Sequence, residues 1–138
     1  NLSIVEQIRH FELEDIVILA GRRTDVPAVM SALDLHILPS AYGEAFPNVV
    51  AEAMSCETPC VATDVGDSAH IVGNTGWVVP PCDAGALAAA IEKALKERLQ
   101  SDQTRWRQRC FSAKKRIEQL FDIKKMITAY QKVWRESM

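Results

Sequence analysis

Residues 35–63 decide the fold: Leu35-His36-Ile37-Leu38-Pro39-Ser40-Ala41-Tyr42-Gly43-Glu44-Ala45-Phe46-Pro47-Asn48-Val49-Val50-Ala51-Glu52-Ala53-Met54-Ser55-Cys56-Glu57-Thr58-Pro59-Cys60-Val61-Ala62-Thr63. Leu35 to Leu38 is an apolar run stopped by Pro39 and Ser40, which reads as a strand. Pro47 stands at the first position of a helix over Asn48 to Cys56, a place that tolerates a missing N–H. Cys60 to Thr63, led in by Pro59, reads as the next strand. Strands that are apolar on every residue and that alternate with helices belong to a parallel sheet covered on both faces.

The same rhythm extends outward. Leu2 to Phe11 reads as a helix with Ile4, Val5, Ile8 and Phe11 on one face, and Ile16 to Ala20 as a buried strand ending at Gly21. Asp25 is placed to cap a short helix that carries Val26, Val29, Met30 and Leu33, with Pro27 in its first turn. Beyond the central unit, Ser68 to Val72 reads as a short helix and Trp77 to Val79 as a strand closed by Pro80 and Pro81. The remainder is helical. Asp83 caps a helix bearing Leu87, Ile91, Leu95 and Leu99. Trp106, Cys110, Ala113, Ile117 and Leu120 recur at helical spacing in the next, and Ile123, Ile127, Tyr130 and Trp134 in the last. Right-handed crossovers then give an α/β, Rossmann-like doubly wound layer with a helical C-terminal extension.

Composition narrows the function. The chain has 138 residues, 48% hydrophobic and 25% charged, which suits one ordinary globular domain. A net charge of −2 argues against a general nucleic-acid binder. No C-x-x-C pair occurs among Cys56, Cys60, Cys82 and Cys110, and His10, His36 and His70 are scattered, so zinc-ligand spacing is absent. Four buried free thiols in a reducing compartment are expected. Charge is uneven. Residues 1–92 hold 3 basic and 13 acidic groups, whereas residues 93–138 hold 13 basic and 5 acidic groups. Arg105, Arg109 and Arg116 fall within about 40° of one another on one helix face. Such a stripe reads either as a solvated face or as docking onto an acidic neighbour or an anionic membrane surface, a peripheral contact.

Ligands of open parallel sheets bind beyond the carboxyl ends of the strands. Residues 40–48 form the longest and most polar loop there, and they feed a helix whose first N–H groups lack internal partners. Such an end binds phosphate. Glu52 lies about 7.5 Å along the axis from Pro47, at 1.5 Å per residue. Asn48, Val49, Ser55 and Cys56, its neighbours three and four away, are not cations, so no ion pair within the helix accounts for it. A carboxylate buried there suits the two hydroxyls of a ribose, and Glu44 faces the other end of a bound diphosphate. The plainer alternative is an exposed Glu52 and a Glu44 that only favours the helix dipole.

The run from Pro39 to Met54, followed by Thr58-Pro59-Cys60-Val61-Ala62-Thr63-Asp64-Val65-Gly66, resembles the nucleotide-sugar-binding half of the retaining GT-B glycosyltransferases of family 4. The resemblance rests on two glutamates separated by seven residues, an Ala-Met helix and a proline-led strand. Gly21-Arg22-Arg23, Asp25-Val26-Pro27, Ala32-Leu33-Asp34-Leu35 and Gly76 before Val78-Val79-Pro80-Pro81 agree with it. It implies a partial C-terminal domain over residues 1–100. Residues 101–138 would be helices packing on it or on a missing N-terminal domain. It implies that Glu52 holds the donor ribose and that Glu44, as the catalytic carboxylate, contacts the transferred sugar. Backbone N–H groups at Phe46, Asn48 and Val49 would meet sugar and diphosphate, Ser40 would line the same loop, and the main chain near Arg23 would pair with the nucleobase. The implied partner is a nucleotide-diphosphate sugar, with no cofactor and no metal. The implied reaction is transfer with retention in polysaccharide or glycan biosynthesis, in a cytoplasmic protein with membrane association as an option. Asp67, His70 and Glu57 depart from the family's usual residues. The chain, which begins at Asn1, is expected to be part of a longer enzyme, inactive alone. Run 16–20 should then pair directly with 35–38 or stand off from it by a gap. A nucleotide-sugar epimerase and a non-catalytic α/β binding module are the competing functions.

Overall fold

The computed structural model describes residues 3–137. Three strands, β1 (His36–Leu38), β2 (Cys60–Thr63) and β3 (Trp77–Val79), form one parallel sheet in that order. Their register sets Ile37 beside Val61 and Val61 beside Trp77. All four residues of β2 are buried. Successive side chains of a strand point to opposite faces, so β2 feeds two cores. Cys60 and Ala62 join Met30, Val50, Ala53, Met54, Ile71, Val72, Ala113 and Ile117 on one side. Val61 joins Trp77, Val79, Ala90, Ala94 and Trp106 on the other.

The helices over the first face are α2 (Val26–Ala32), α3 (Asn48–Ser55), α4 (Ser68–Val72) and part of α6 (Thr104–Leu120). Helix α5 (Ala84–Arg98) covers the second and is capped by the Asp83 carboxylate, which accepts from the Ala86 N–H at 2.8 Å. Its buried residues are Ala90, Ala94 and Glu97, with Leu87 and Ile91 half-buried against the same core. The expected stripe ends early, because Leu95 and Leu99 face solvent. Small alanines let the helix sit close to the strands. In α6, Trp106, Ala113 and Ile117 are buried as expected, while Leu120 is exposed.

Several expectations fail at the two ends of the chain. The run 16–20 is no strand. The Ile16 and Val17 N–H groups both bond to Leu13 O in a turn, and Ile16 and Ile18 are 76% and 88% exposed. A strand needs a neighbour to pair its backbone, and among the described residues no strand pairs with this run, so direct pairing with 35–38 is absent. Helix α1 (Ile4–His10) forms with a Ser3–Glu6 capping box, but Ile4, Val5 and Phe11 are exposed, and Leu2 lies outside the described residues. Helix α7 (Ile123–Glu136) forms as expected, and it has no buried residue, so Ile123, Ile127, Tyr130 and Trp134 are an exposed stripe. Asp25 precedes α2 but caps nothing with its side chain, because Arg23 engages the carboxylate instead. The cysteines are free thiols, yet only Cys60 is buried and Cys82 is exposed. Burial pushes the Cys60 thiol up to about 12.

The arginine stripe of α6 is not a free solvated face. Arg109 donates to both oxygens of Glu97 at 2.7 and 3.0 Å, and its guanidinium lies 4.2 Å from the centre of the Trp77 ring. Arg105 approaches the same carboxylate at 3.2 Å. Arg116 donates to Ile71 O at 2.8 Å and to His70 O at 2.6 Å, at the carbonyl end of α4. Glu97 is only 6% exposed, and hydrogen bonding to Arg109 holds its carboxyl below the ordinary 4.5. A depressed folded value means that this pair stabilises the fold fully above pH 4.5 and loses that contribution as pH falls through the lower folded value. Arg109→Met leaves a buried carboxylate short of a partner. The expected loss is about 3 kcal/mol in denaturant unfolding at neutral pH, at the low end for a broken buried pair because Arg105 remains. That loss should shrink in acid, where Glu97 is protonated in both proteins.

Candidate functional site

Because the three strands are parallel, the loops that leave them lie along one edge of the sheet. Loop 39–47 leaves β1, and the turn 64–67 leaves β2 beside it. Buried Thr63 joins the two, its hydroxyl donating to Ser40 O at 2.6 Å. The Asp67 N–H donates to Ala45 O at 2.7 Å. Gly66 has φ +57°, and a Cβ built there would stand 2.4 Å from Ala45 O and 2.6 Å from Glu44 O. Only glycine fits this approach. The turn after β2 is thus pressed onto the loop that carries Glu44.

Inside that loop the Ser40 hydroxyl donates to the Glu44 carboxylate at 2.7 Å. This fixes the Glu44 side chain along the loop. The loop then enters α3 through Pro47, which takes the N-cap position and has no N–H of its own. No side chain caps the helix, so the amides of Asn48 and Val49 point out of it with no capping oxygen. The first amide satisfied locally is that of Val50, 3.0 Å from Pro47 O.

A cavity of about 520 Å³ runs along the outer face of α3. Phe46, Asn48 and Glu52 line it beside Val26 and Pro27 of α2, and Phe121 and Ile117 close its far side. Glu52 is exposed rather than buried, which corrects the expectation of a buried carboxylate. It sits on the face of α3 that turns from the sheet, while Val50, Ala53 and Met54 take the core. Glu52 nevertheless lines the cavity, and among the described residues no hydrogen bond or ion pair engages its carboxylate.

The structure therefore gathers Phe46, Asn48 and Glu52 at one cavity. Ser40 and Glu44 pair with each other in the adjoining loop and are not among its walls. Val49 is half-buried against the core, so only its backbone amide can face a ligand. The Arg23 guanidinium is exposed and forks onto Asp25 at 2.6 and 2.8 Å, holding that carboxyl below its ordinary value. Arg23 is not a wall either, but Val26 and Pro27, just beyond it, are. Three contributors went unread in the sequence. Thr63 and Gly66 shape the loop through contacts with residues some 20 positions away, and Phe121 stacks near Phe46 at a ring-centre distance of 5.6 Å.

The comparisons with known proteins point one way. A sequence profile described as "Glycosyl transferases group 1" matches residues 2–97. The N-acetyl-alpha-D-glucosaminyl L-malate synthase of Bacillus anthracis is 26% identical over 134 residues, which are 96% of this chain and 34% of that protein. Sucrose-phosphate synthase from Thermosynechococcus elongatus superposes with a TM-score of 0.83 at 31% identity, over 96% of this chain and 33% of that one. The Anabaena protein HepE, solved in complex with UDP, gives a TM-score of 0.85 at 27% identity, over 96% and 36%. The chain thus spans about a third of the length of each of these proteins. All three are similar to it along nearly its whole described length.

The Gly66 contact has a direct consequence. Gly66→Ala adds a methyl group against two backbone carbonyls and forces a strained φ, so it should cost about 2 kcal/mol or more in denaturant unfolding. It should also shift the amide resonances of residues 44–46. An unchanged midpoint with unchanged resonances would mean that the turn does not hold the loop.

Proposed function

Because this chain belongs to the Glycosyl transferases group 1 family, we propose that it is the donor-binding part of a retaining glycosyltransferase. The enzyme moves a sugar from a nucleoside diphosphate sugar to an acceptor in polysaccharide or glycan biosynthesis. One observation carries the reading. Glu52, whose carboxylate has no protein partner among the described residues, lines a cavity together with Asn48 at the uncapped start of α3.

The roles follow from that geometry. The amides of Asn48 and Val49, with that of Phe46 in the preceding loop, meet the diphosphate and the sugar it carries. Unpaired N–H groups and the helix dipole both favour negative charge there. Glu52, one turn further along, accepts from the two ribose hydroxyls, one to each oxygen. The main chain near Arg23 lies beside Val26 and Pro27 at the cavity rim and pairs with the edge of the base. Glu44, steadied by Ser40, contacts the transferred sugar. The bond from the anomeric carbon to the diphosphate oxygen breaks, and the acceptor hydroxyl forms the new bond from the same face. Its proton passes to the departing phosphate oxygen. The protein's part is to stabilise the charge that grows on that diphosphate and to hold the reactants in register. No metal is assigned a step.

Residues 1–100 would supply the donor half of the site. Residues 101–138 would pack on it or on another domain of the parent enzyme, which would bring the acceptor and further cations for the diphosphate. Among the described residues no helix is long and apolar enough to cross a membrane. A cytoplasmic location fits a nucleotide-sugar donor. The complex of HepE with UDP supports the choice of a uridine nucleotide as a first probe.

Titration of the chain with UDP and GDP tests the reading. Saturable binding is expected for one of them. Glu52→Ala should weaken it about tenfold or more, the loss expected where charge-assisted hydrogen bonds to two hydroxyls disappear. In the parent enzyme Glu44→Ala should lower kcat strongly while changing nucleotide affinity little. If both variants match the unsubstituted protein in binding and turnover, a non-catalytic module is the better description.

A further inference from the structure

We infer that Phe121, at the joint between α6 and α7, is a positioning residue for the donor site, holding Phe46 and through it the approach to α3. The inference rests on the donor-site reading above.

The fold leaves loop 39–47 without regular structure, and its restraints come from one direction. Thr63 holds Ser40, and the Gly66–Asp67 turn holds Glu44 and Ala45, all from the side of β2. Phe46, the last loop residue before Pro47, reaches the other way. Its ring lines the cavity beside Asn48 and Glu52 and meets the ring of Phe121 at 5.6 Å between centres, tilted by 59°. Phe121 is itself half-buried against the first core and meets the His70 ring edge to face, at 5.3 Å and 80°. Tilted and edge-to-face pairs fix ring orientation as well as separation, which an aliphatic contact does not.

His70 gives Phe121 a firm backing. Arg116, one turn and a residue earlier in α6, donates to the His70 and Ile71 carbonyls. A Cβ on Gly73 would stand 2.5 Å from the Arg116 guanidinium carbon, so this end of α4 lies close against α6. The other end of α4 begins at the Gly66–Asp67 turn that grips the loop. Loop, turn, α4 and α6 therefore form a closed ring of contacts, and the Phe46–Phe121 pair is the link that closes it. Among the residues assigned to the donor above, Phe121 meets the ring of Phe46, across the cavity they share. It acts by fixing where Phe46 presents its amide and where α3 starts. Helix α7, which follows directly, has no buried residue, so the end of α6 is held by these aromatic contacts.

The experiment is a double-mutant cycle on nucleotide affinity in the chain, with UDP and GDP as probes. Phe121→Ala should weaken the nucleotide that binds by about fivefold to tenfold, and Phe121→Tyr, which keeps the ring, should stay within about twofold. Phe46→Ala combined with Phe121→Ala should be no weaker than the worse single variant, because both remove one link. Far-ultraviolet circular dichroism and the thermal transition report folding. If Phe121→Ala does not fold, Phe121→Leu takes its place in the cycle with the same expected pattern. Binding within about twofold of the unsubstituted chain by the folded variant, or losses that multiply in the double variant, would overturn the inference and leave the donor reading intact. If the unsubstituted chain binds neither probe, the donor reading falls and this inference falls with it.

Discussion

Burial of β2 on both faces is the constraint from which the rest follows. Cys60, Val61, Ala62 and Thr63 are all inaccessible, and β1 and β3 flank the strand in parallel register. A strand so placed must be apolar throughout and must have helices above and below it. It therefore assigns α2, α3, α4 and part of α6 to one face, and α5 with Trp106 of α6 to the other. Parallel pairing then sends every following loop to the same edge, where loop 39–47 and the turn 64–67 meet.

That meeting is a set of backbone approaches rather than side-chain chemistry. Thr63 reaches a loop carbonyl, Asp67 offers its amide to another, and Gly66 permits the contact by having no Cβ. The outcome is a helix that starts without a cap, preceded by a proline that cannot donate. Orphan amides at a helix start have an unmet demand for an anion. Glu52, exposed on the outer face of that helix, has no protein partner among the described residues and is open to donors from a ligand. A ligand that is anionic at one end and hydroxylated at the other answers both. Exposure of Glu52 is compatible with this, since the carboxylate need only face the cavity and remain free of competing partners.

Charge is distributed to a different end. Helix α6 carries six of the thirteen cations of residues 93–138, and the structure engages four of them within the body. Arg105 and Arg109 go to Glu97, Lys114 to Glu57 and Arg116 to the carbonyl end of α4. Lys114 with Glu57 and Arg98 with Asp34 are ion pairs that join the acidic first part to the basic last part, whereas Glu97 belongs to the basic part itself. Helix α7 carries Lys124, Lys125, Lys132 and Arg135, and its apolar stripe is unburied. Docking of α6 and exposure of α7 have one cause: α6 meets α3 and α5 along its length, whereas α7 leaves the body at Phe121.

The sequence by itself determined the central elements: β2 over 60–63, α4 over 68–72, β3 over 77–79, and α3 to within a residue, because apolar periodicity, prolines and caps are properties of adjacent residues. It also singled out Glu44, Phe46, Asn48 and Glu52 as a group, because all four belong to one loop and the helix it feeds. Only the tertiary structure decided what lay beyond that reach. Run 16–20 has the composition of a buried strand, yet strand formation requires a partner backbone, and local pattern says nothing of whether one is present. Arg109 and Arg116 read as a stripe either solvated or docking onto an acidic neighbour or an anionic membrane surface, yet Glu97 and the end of α4 engage them within the chain. Phe121 has no local signature at all, since its partners Phe46 and His70 stand 75 and 51 positions away. Periodicity is written into neighbouring residues, while pairing across such distances is settled only when the chain packs.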